Sequence, residues 1–275
     1  MLKRQYTSVD GRSIVYYKEG RGKQTLIMLP GLCADCNIWE SVITRLRYRY
    51  TILAFCLPLY GTYNHHHERY TIATLAQLLR TLIVRFHIRK PVLIGHSLGG
   101  LVNLMYTGNH PRLVKKLICV STPLSDHKEP LPLAWRLAVE MGRKLRKNED
   151  IARWLQSQTE ALDALVAIIM GKKRKKAHLN ITESVPLKTL ACCYEDLFHY
   201  PFDHLIRRIH PKPSILFVYG TLDQPFLKFA GTALYPSLDG AEIIPLVEGH
   251  FIPTAQPHKM ATIIEDFVDI PTHHG

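Results

Sequence analysis

The sequence lacks the features that would place a protein in a membrane, a secretory route or a disulfide scaffold. Its longest apolar run, 164–170, is far too short to span a bilayer. The basic residues near the first methionine have no apolar stretch behind them, so no secretory signal is visible. Six cysteines are spread along the chain without a disulfide-scaffold pattern. These absences predict a cytoplasmic, reducing environment.

Acidic residues are few relative to basic ones. The chain has 35 Lys and Arg against 23 Asp and Glu, a net charge of +12. Such a charge suits nucleic acid, anionic lipid or an acidic substrate. No zinc-finger spacing, aromatic RNA-binding signature or basic zipper accompanies it. We therefore expect no nucleic-acid partner and treat the charge first as a surface property.

Metal and cofactor motifs are also missing. Cys33-Ala-Asp-Cys36 is a single Cys-x-x-Cys pair, and a zinc site needs further ligands at suitable spacing. We expect incidental thiols here, no metal site and no cofactor. What is present is globular composition: 275 residues, 47% hydrophobic and 21% charged. That length predicts one large domain or a domain with an insertion.

The stretch 91–100, Pro-Val-Leu-Ile-Gly-His-Ser-Leu-Gly-Gly, organises the chain. A short apolar run predicts a buried strand, and the helical spacing of apolar residues after it predicts a helix. Ser97 lies at the tight turn between them, where a strained backbone would push its hydroxyl out above the sheet edge. Gly95 and Gly99 suit the close passage of strand and helix. Ser97 is therefore the candidate nucleophile, with an ordinary loop serine as the alternative.

Gly-His-Ser-Leu-Gly-Gly at this position resembles the nucleophile elbow of the α/β-hydrolase family. Strands and helices alternate on both sides of it, which predicts an α/β fold with a mostly parallel sheet and helices on both faces. The pattern becomes all helical between Pro123 and about His204, and the resemblance implies a lid over the active site. We predict a core at 1–122 and 205–275, and a helical lid insertion at 123–204.

Three residues have the types and the order that a serine hydrolase of this fold requires. A serine needs a base to take its proton, and a carboxylate must hold the tautomer of that base. Ser97, Asp223 and His250 occur in the order nucleophile, acid, histidine, each just after a predicted strand. Asp126 and Glu129 follow an earlier strand and are the competing acids. His96 is expected to pack beneath the elbow rather than to react.

The oxyanion donors come from the resemblance. In the family, the backbone N–H after a His-Gly pair joins the N–H after the nucleophile. Here the loop reads Pro30-Gly31-Leu32, which assigns the donors to the N–H groups of Leu32 and Leu98. A plain Pro-Gly turn is the alternative reading of that loop. After the strand at 50–55, the chain has Cys56 where the family usually has an acid that braces the loop, so that loop's geometry is open.

The sequence therefore predicts a serine hydrolase of a small or medium apolar carboxylic ester, lactone or thioester, a small-molecule substrate. C–C bond hydrolysis and perhydrolysis on the same scaffold are alternatives, as is a non-catalytic binding or scaffold protein. We interpret the basic run from Lys172 to Lys176 as a solvated segment. Weak attraction to an anionic membrane is the more specific alternative. Nothing in the sequence indicates an oligomeric state.

Overall fold

The computed structural model describes residues 2–32, 34–58, 70–124, 202–223 and 240–270, together with positions 140, 144, 193, 196 and 200. The described strands form one eight-stranded sheet in the order β1-β2-β4-β3-β5-β6-β7-β8. The strands are β1 (Gln5–Val9), β2 (Arg12–Glu19), β3 (Thr25–Leu29), β4 (Thr51–Phe55), β5 (Val92–His96), β6 (Lys116–Val120), β7 (Ser214–Gly220) and β8 (Ala241–Leu246).

Most of the sheet is parallel, as predicted. From β4 to β8, neighbouring strands all run in the same direction, whereas β1 and β2 are antiparallel additions at one edge. The β1–β2 hairpin turns through Asp10 and Gly11, both with positive φ (50° and 77°). This is the two-residue turn that an Asp-Gly pair favours. Asp10-Gly11 between two strand-like runs predicts this hairpin, and the structure confirms it.

Helices cover both faces of the sheet. They are α1 (Glu40–Leu46), α2 (Ile72–Arg85), α3 (Leu98–Asn109), α4 (Phe202–Arg208), α5 (Ile252–Ala255) and α6 (Pro257–Asp269). Alternate residues of each strand point to opposite faces. Leu29 and Leu93 thus pack with α2 and α3 in one core, while Met28 and Ile94 pack with α1 and α6 in a second. The α/β-hydrolase fold predicted from the elbow is confirmed.

Two predicted boundaries move for reasons of backbone chemistry. The apolar run at 113–120 predicts a strand over all of these residues, but β6 begins only at Lys116, because Pro111–Leu113 forms a 3₁₀ turn. The spacing of apolar residues at 254–268 predicts one closing helix, but the structure has two, α5 and α6. Pro257 has no N–H to continue the α5 ladder, but it suits the first turn of α6.

The lid predicted at 123–204 lies almost entirely outside the described residues, as do Asp126, Glu129, Cys33 and the basic run at 172–176. The division into core and lid stays a prediction. In the part of the chain that the structure describes, no helix combines the length and the apolar character needed to cross a membrane.

Candidate active site

Ser97 stands at a sharp turn between β5 and α3. Its backbone has φ 51° and ψ −118°, a conformation that a residue with a side chain rarely adopts. The Ser97 N–H donates a hydrogen bond of 2.8 Å to the Val120 carbonyl at the end of β6. The strained residue is therefore fixed to the neighbouring strand. Such a backbone outlier, observed and held in place, is typical of a functional position.

Glycines allow the close approach that this turn requires. A Cβ added to Gly95 would lie 2.4 Å from the Gly100 nitrogen, and one added to Gly99 would lie 2.5 Å from the Pro30 carbonyl oxygen. Both distances are far below van der Waals contact. The Gly-x-Ser-x-Gly spacing thus follows from packing of strand, helix and the loop after β3, as the sequence predicted.

The loop after β3 reaches the same turn. A Cβ added to Gly31 would lie 3.1 Å from the Ser97 Cβ, so this loop runs directly against the candidate nucleophile. Leu32 follows Gly31, and Leu98 is the first residue of α3. Apart from bonds within helices and strands, the backbone hydrogen bonds of the described residues include none from the Leu32 N–H or the Leu98 N–H. The amides of a first helical turn have no partner within their helix.

His250 and Asp223 form a close side-chain pair at this edge of the sheet. The distance between His250 Nδ1 and Asp223 Oδ2 is 2.7 Å, and both side chains are buried. Since a carboxylate only accepts, Nδ1 carries the hydrogen. In the neutral ring, Nε2 is then left with its lone pair. The pair has the polarity that a general base and its orienting acid need.

Backbone contacts between β7 and β8 bring this pair together. A Cβ added to Gly220, the last residue of β7, would lie 2.3 Å from the Glu248 carbonyl oxygen. The Leu222 N–H donates to that carbonyl at 3.0 Å, which draws the turn carrying Asp223 against the segment before His250. The carboxyl ends of the parallel strands β5, β7 and β8 thus supply the three predicted side chains at one edge.

His96 lies under the His250 segment. Its Nε2 lies 2.9 Å from the His250 carbonyl oxygen, and the two imidazole rings are 4.9 Å apart between centroids. His96 is fully buried, and this burial, together with the nearby His250, lowers the pKa of His96 to about 3. The ring is therefore neutral, with hydrogen on Nε2. The predicted packing beneath the elbow is confirmed, with an added contact to the histidine loop.

Sequence reasoning missed how the loop at 30–39 is held. Cys36 and Cys56 form a disulfide that joins the start of a 3₁₀ turn (Cys36–Trp39) to the end of β4. The expectation that Cys36 is an incidental thiol is wrong. Asp35 accepts hydrogen bonds from the Asn37 N–H and from Arg4 Nη2, both at 2.8 Å. These contacts hold the loop after β3, and no motif in the sequence signals them.

Comparisons with known proteins agree with the fold. A family model described as the alpha/beta hydrolase fold matches residues 24–149. The uncharacterized hydrolase YugF of Bacillus subtilis (strain 168) is 32% identical over 280 residues, covering 96% of this chain and 97% of the relative.

Two solved structures share the fold over nearly their whole length. One is a thermophilic esterase from Thermogutta terrifontis (TM-score 0.70, 17% identity, 97% of this chain and 98% of the other). The second is the enol-lactonase from Burkholderia xenovorans LB400 (TM-score 0.71, 17% identity, 96% of this chain and 99% of the other).

Proposed function

Because this chain belongs to the α/β-hydrolase fold family, and is thus a hydrolase, we propose that it is a serine hydrolase of a small or medium apolar carboxylic ester, lactone or thioester. Ser97 is the nucleophile, His250 the general base and Asp223 the residue that orients it. The reaction passes through an acyl-enzyme. The proposed steps use side chains, backbone amides and water alone.

One observation carries the proposal. A buried His250–Asp223 pair, with 2.7 Å between Nδ1 and Oδ2, lies at the sheet edge where Ser97 is held at φ 51°. Structural histidines and carboxylates also pair inside proteins, but such a pair does not require a strained serine after another strand at the same edge of the sheet. Catalysis explains both features together.

The chemistry follows from the orientation of the pair. Nε2 of His250 accepts the Ser97 hydroxyl proton as Oγ attacks the substrate carbonyl carbon. Asp223 keeps the hydrogen on Nδ1 and stabilises the imidazolium that forms. His250 then gives the proton to the departing alcohol or thiol as its bond to the acyl carbon breaks. Water, activated by the same imidazole, releases the acid and restores Ser97.

In this proposal, the N–H groups of Leu32 and Leu98 donate hydrogen bonds to the negative oxygen of the tetrahedral intermediate. Gly31 is in contact with Ser97, and Leu98 opens α3, so both amides belong to segments beside the nucleophile. The positive end of α3 favours negative charge at the same place. Loss of one donor of this kind typically lowers kcat by ~10²–10³.

The substrate class rests on the chemistry of acyl transfer. Ester, lactone and thioester all present a carbonyl with a leaving group to Ser97, and the similar structures include an esterase and a lactonase. The non-catalytic alternative is disfavoured because all three side chains are present. The cytoplasmic location also stays a prediction. The lack of a disulfide pattern no longer supports that location, because Cys36 and Cys56 form a disulfide.

A series of p-nitrophenyl esters with increasing acyl length tests the proposal. We expect hydrolysis by the wild type and none above background by Ser97→Ala. Ser121→Ala is the matched control, because Ser121 is also buried, follows β6 and has positive φ (46°). It should keep wild-type activity. Equal hydrolysis by the wild type and Ser97→Ala would overturn the proposal.

A further inference from the structure

Five segments that precede the parallel strands have an extreme composition. They are 20–24, 45–50, 85–91, 110–115 and 207–213, and they lead into β3, β4, β5, β6 and β7 respectively. Together they contain thirteen Arg and Lys residues and no Asp or Glu. We call the surface that they form the basic face. It lies at the amino ends of the parallel strands, opposite the edge that carries Ser97.

The segments lie side by side. Thr25 pairs with Thr51, and Val92 pairs with Lys116, so the strand starts are level with one another. Gln24 links three segments, because its side chain donates to the Lys90 carbonyl (3.3 Å) and accepts from Lys115 Nζ (2.7 Å). At the usual strand spacing, the five starts span ~19 Å. The basic residues thus share one continuous surface.

The positive charge of the basic face is largely exposed to solvent. Eleven of its thirteen Arg and Lys side chains are exposed. Among the described residues, ion pairs are found beside β4, where Arg47 lies 3.8 Å from Glu19 and Arg49 pairs with Asp269 and Glu265. Helices α1, α2 and α4 also end at this face, and their negative ends favour nearby cations. That effect accounts for Arg85 but not for charges away from a helix end, such as Lys23 and Lys90.

Exposed apolar groups stand among these charges. Tyr48 is 78% exposed and Leu113 is 51% exposed, each within a basic segment. The Arg47 guanidinium lies over the Tyr48 ring at 5.2 Å. The phosphate groups of a nucleic-acid backbone offer no apolar surface against which an exposed leucine could pack. A lipid headgroup region takes both kinds of side chain, cations at the phosphates and apolar groups at the acyl boundary.

We propose that the basic face docks on an anionic lipid bilayer. The exposed cations of 20–24, 85–91, 110–115 and 207–213 contact acidic headgroups, and Tyr48 and Leu113 enter the interface. The Ser97 edge then faces away from the membrane, since the parallel strands run from one edge to the other. The protein would act at a membrane surface on substrate that arrives from water. This inference is independent of the proposed hydrolase mechanism.

Vesicle sedimentation tests the docking. The probes are vesicles of phosphatidylcholine alone and vesicles of phosphatidylcholine and phosphatidylserine in equal parts. Lys23→Gln combined with Lys90→Gln removes two exposed charges of the basic face. Lys3→Gln combined with Lys259→Gln is the matched control, because both lysines are exposed and neither belongs to the five segments. Tyr48→Ser combined with Leu113→Ser tests the apolar part.

We expect wild-type binding to the acidic vesicles only, weakened by salt. The partition coefficient of the Lys23/Lys90 variant onto acidic vesicles should be about 25-fold lower than that of the wild type, since each lost charge lowers it about fivefold. The Lys3/Lys259 variant should stay within about twofold, since neither lysine belongs to a segment at the amino ends of the parallel strands. The Tyr48/Leu113 variant should bind about tenfold less, and Ser97→Ala should bind as the wild type does.

Circular dichroism checks that each variant folds, and ester hydrolysis is a second check for every variant except Ser97→Ala. Equal losses in the two lysine variants would overturn the proposal, as would equal binding to both kinds of vesicle. Binding to single-stranded polyuridylate with none to the acidic vesicles would also overturn it and assign the basic face to RNA.

Discussion

His96 and His250 are joined by a hydrogen bond across 154 positions of the chain. His96 Nε2 donates to the His250 backbone carbonyl at 2.9 Å, immediately beside the candidate nucleophile. The bond links the end of β5 to the segment that follows β8. His250 is thus held from two sides, by Asp223 at its ring and by His96 at its backbone. His96 is a positioning residue in the proposed mechanism, since it acts through His250.

Removal of this bond should slow the reaction without weakening binding. For His96→Ala we expect kcat to fall about 10- to 100-fold with KM changed by less than about threefold, because a small displacement of the base is costly. His96→Gln keeps an N–H donor and should recover part of kcat. Steady-state kinetics on the ester series measure both. A rise in KM with kcat intact would contradict the positioning role.

Burial of His96 also predicts a pH dependence of stability. The pKa of His96 is lowered from 6.5 to about 3 in the folded protein. Below pH 6.5 the unfolded chain therefore binds a proton that the folded chain refuses, and the free energy of unfolding falls as the pH decreases. When the pH is lowered from about 7 to about 5, the free energy of unfolding of His96→Gln should fall by about 2 kcal/mol less than that of the wild type. Urea unfolding at the two values measures this, and parallel losses would contradict it.

The elbow and its neighbours could be predicted because their constraints are local. Gly95, Ser97 and Gly99 lie within five positions, and the apolar runs on either side specify strand and helix. Asp223 and His250 could be chosen from their places after strands, since parallel strands open on one edge. The Cys36–Cys56 bridge could not, because it depends on the distance between two loops. The basic face could not be predicted either, since its five segments are far apart in the sequence and come together only in the sheet.

Gly95→Ala tests the packing that shapes the elbow. The added Cβ would lie 2.4 Å from the backbone of α3, which cannot move away as a side-chain end can. We expect the free energy of unfolding to fall by about 3 kcal/mol or more, with loss of ester hydrolysis. Gly249→Ala is the control, since a Cβ there meets no atom within 4 Å although the residue adjoins His250. Similar losses in both variants, measured by urea unfolding, would contradict the steric argument.

The Cys36–Cys56 bridge should stabilise the protein and the loop at 30–39. The two cysteines are separated by 20 positions, and closing a loop of that length contributes about 3 kcal/mol. We expect Cys36→Ala combined with Cys56→Ala to lower the free energy of unfolding by that amount. Dithiothreitol should destabilise the wild type and leave the double variant unchanged. Alkylation of both thiols in the untreated, denatured protein would contradict the bridge.

The nucleophile can be tested directly by covalent labelling. The wild type is treated with a fluorophosphonate, and intact mass and peptide mapping locate the adduct. We predict one adduct, on Ser97, that is absent from Ser97→Ala and retained in Ser121→Ala. His250→Ala should label far more slowly, because the serine then lacks its base. An adduct on another residue, or none on a folded wild type, would contradict the assignment of Ser97 as the nucleophile.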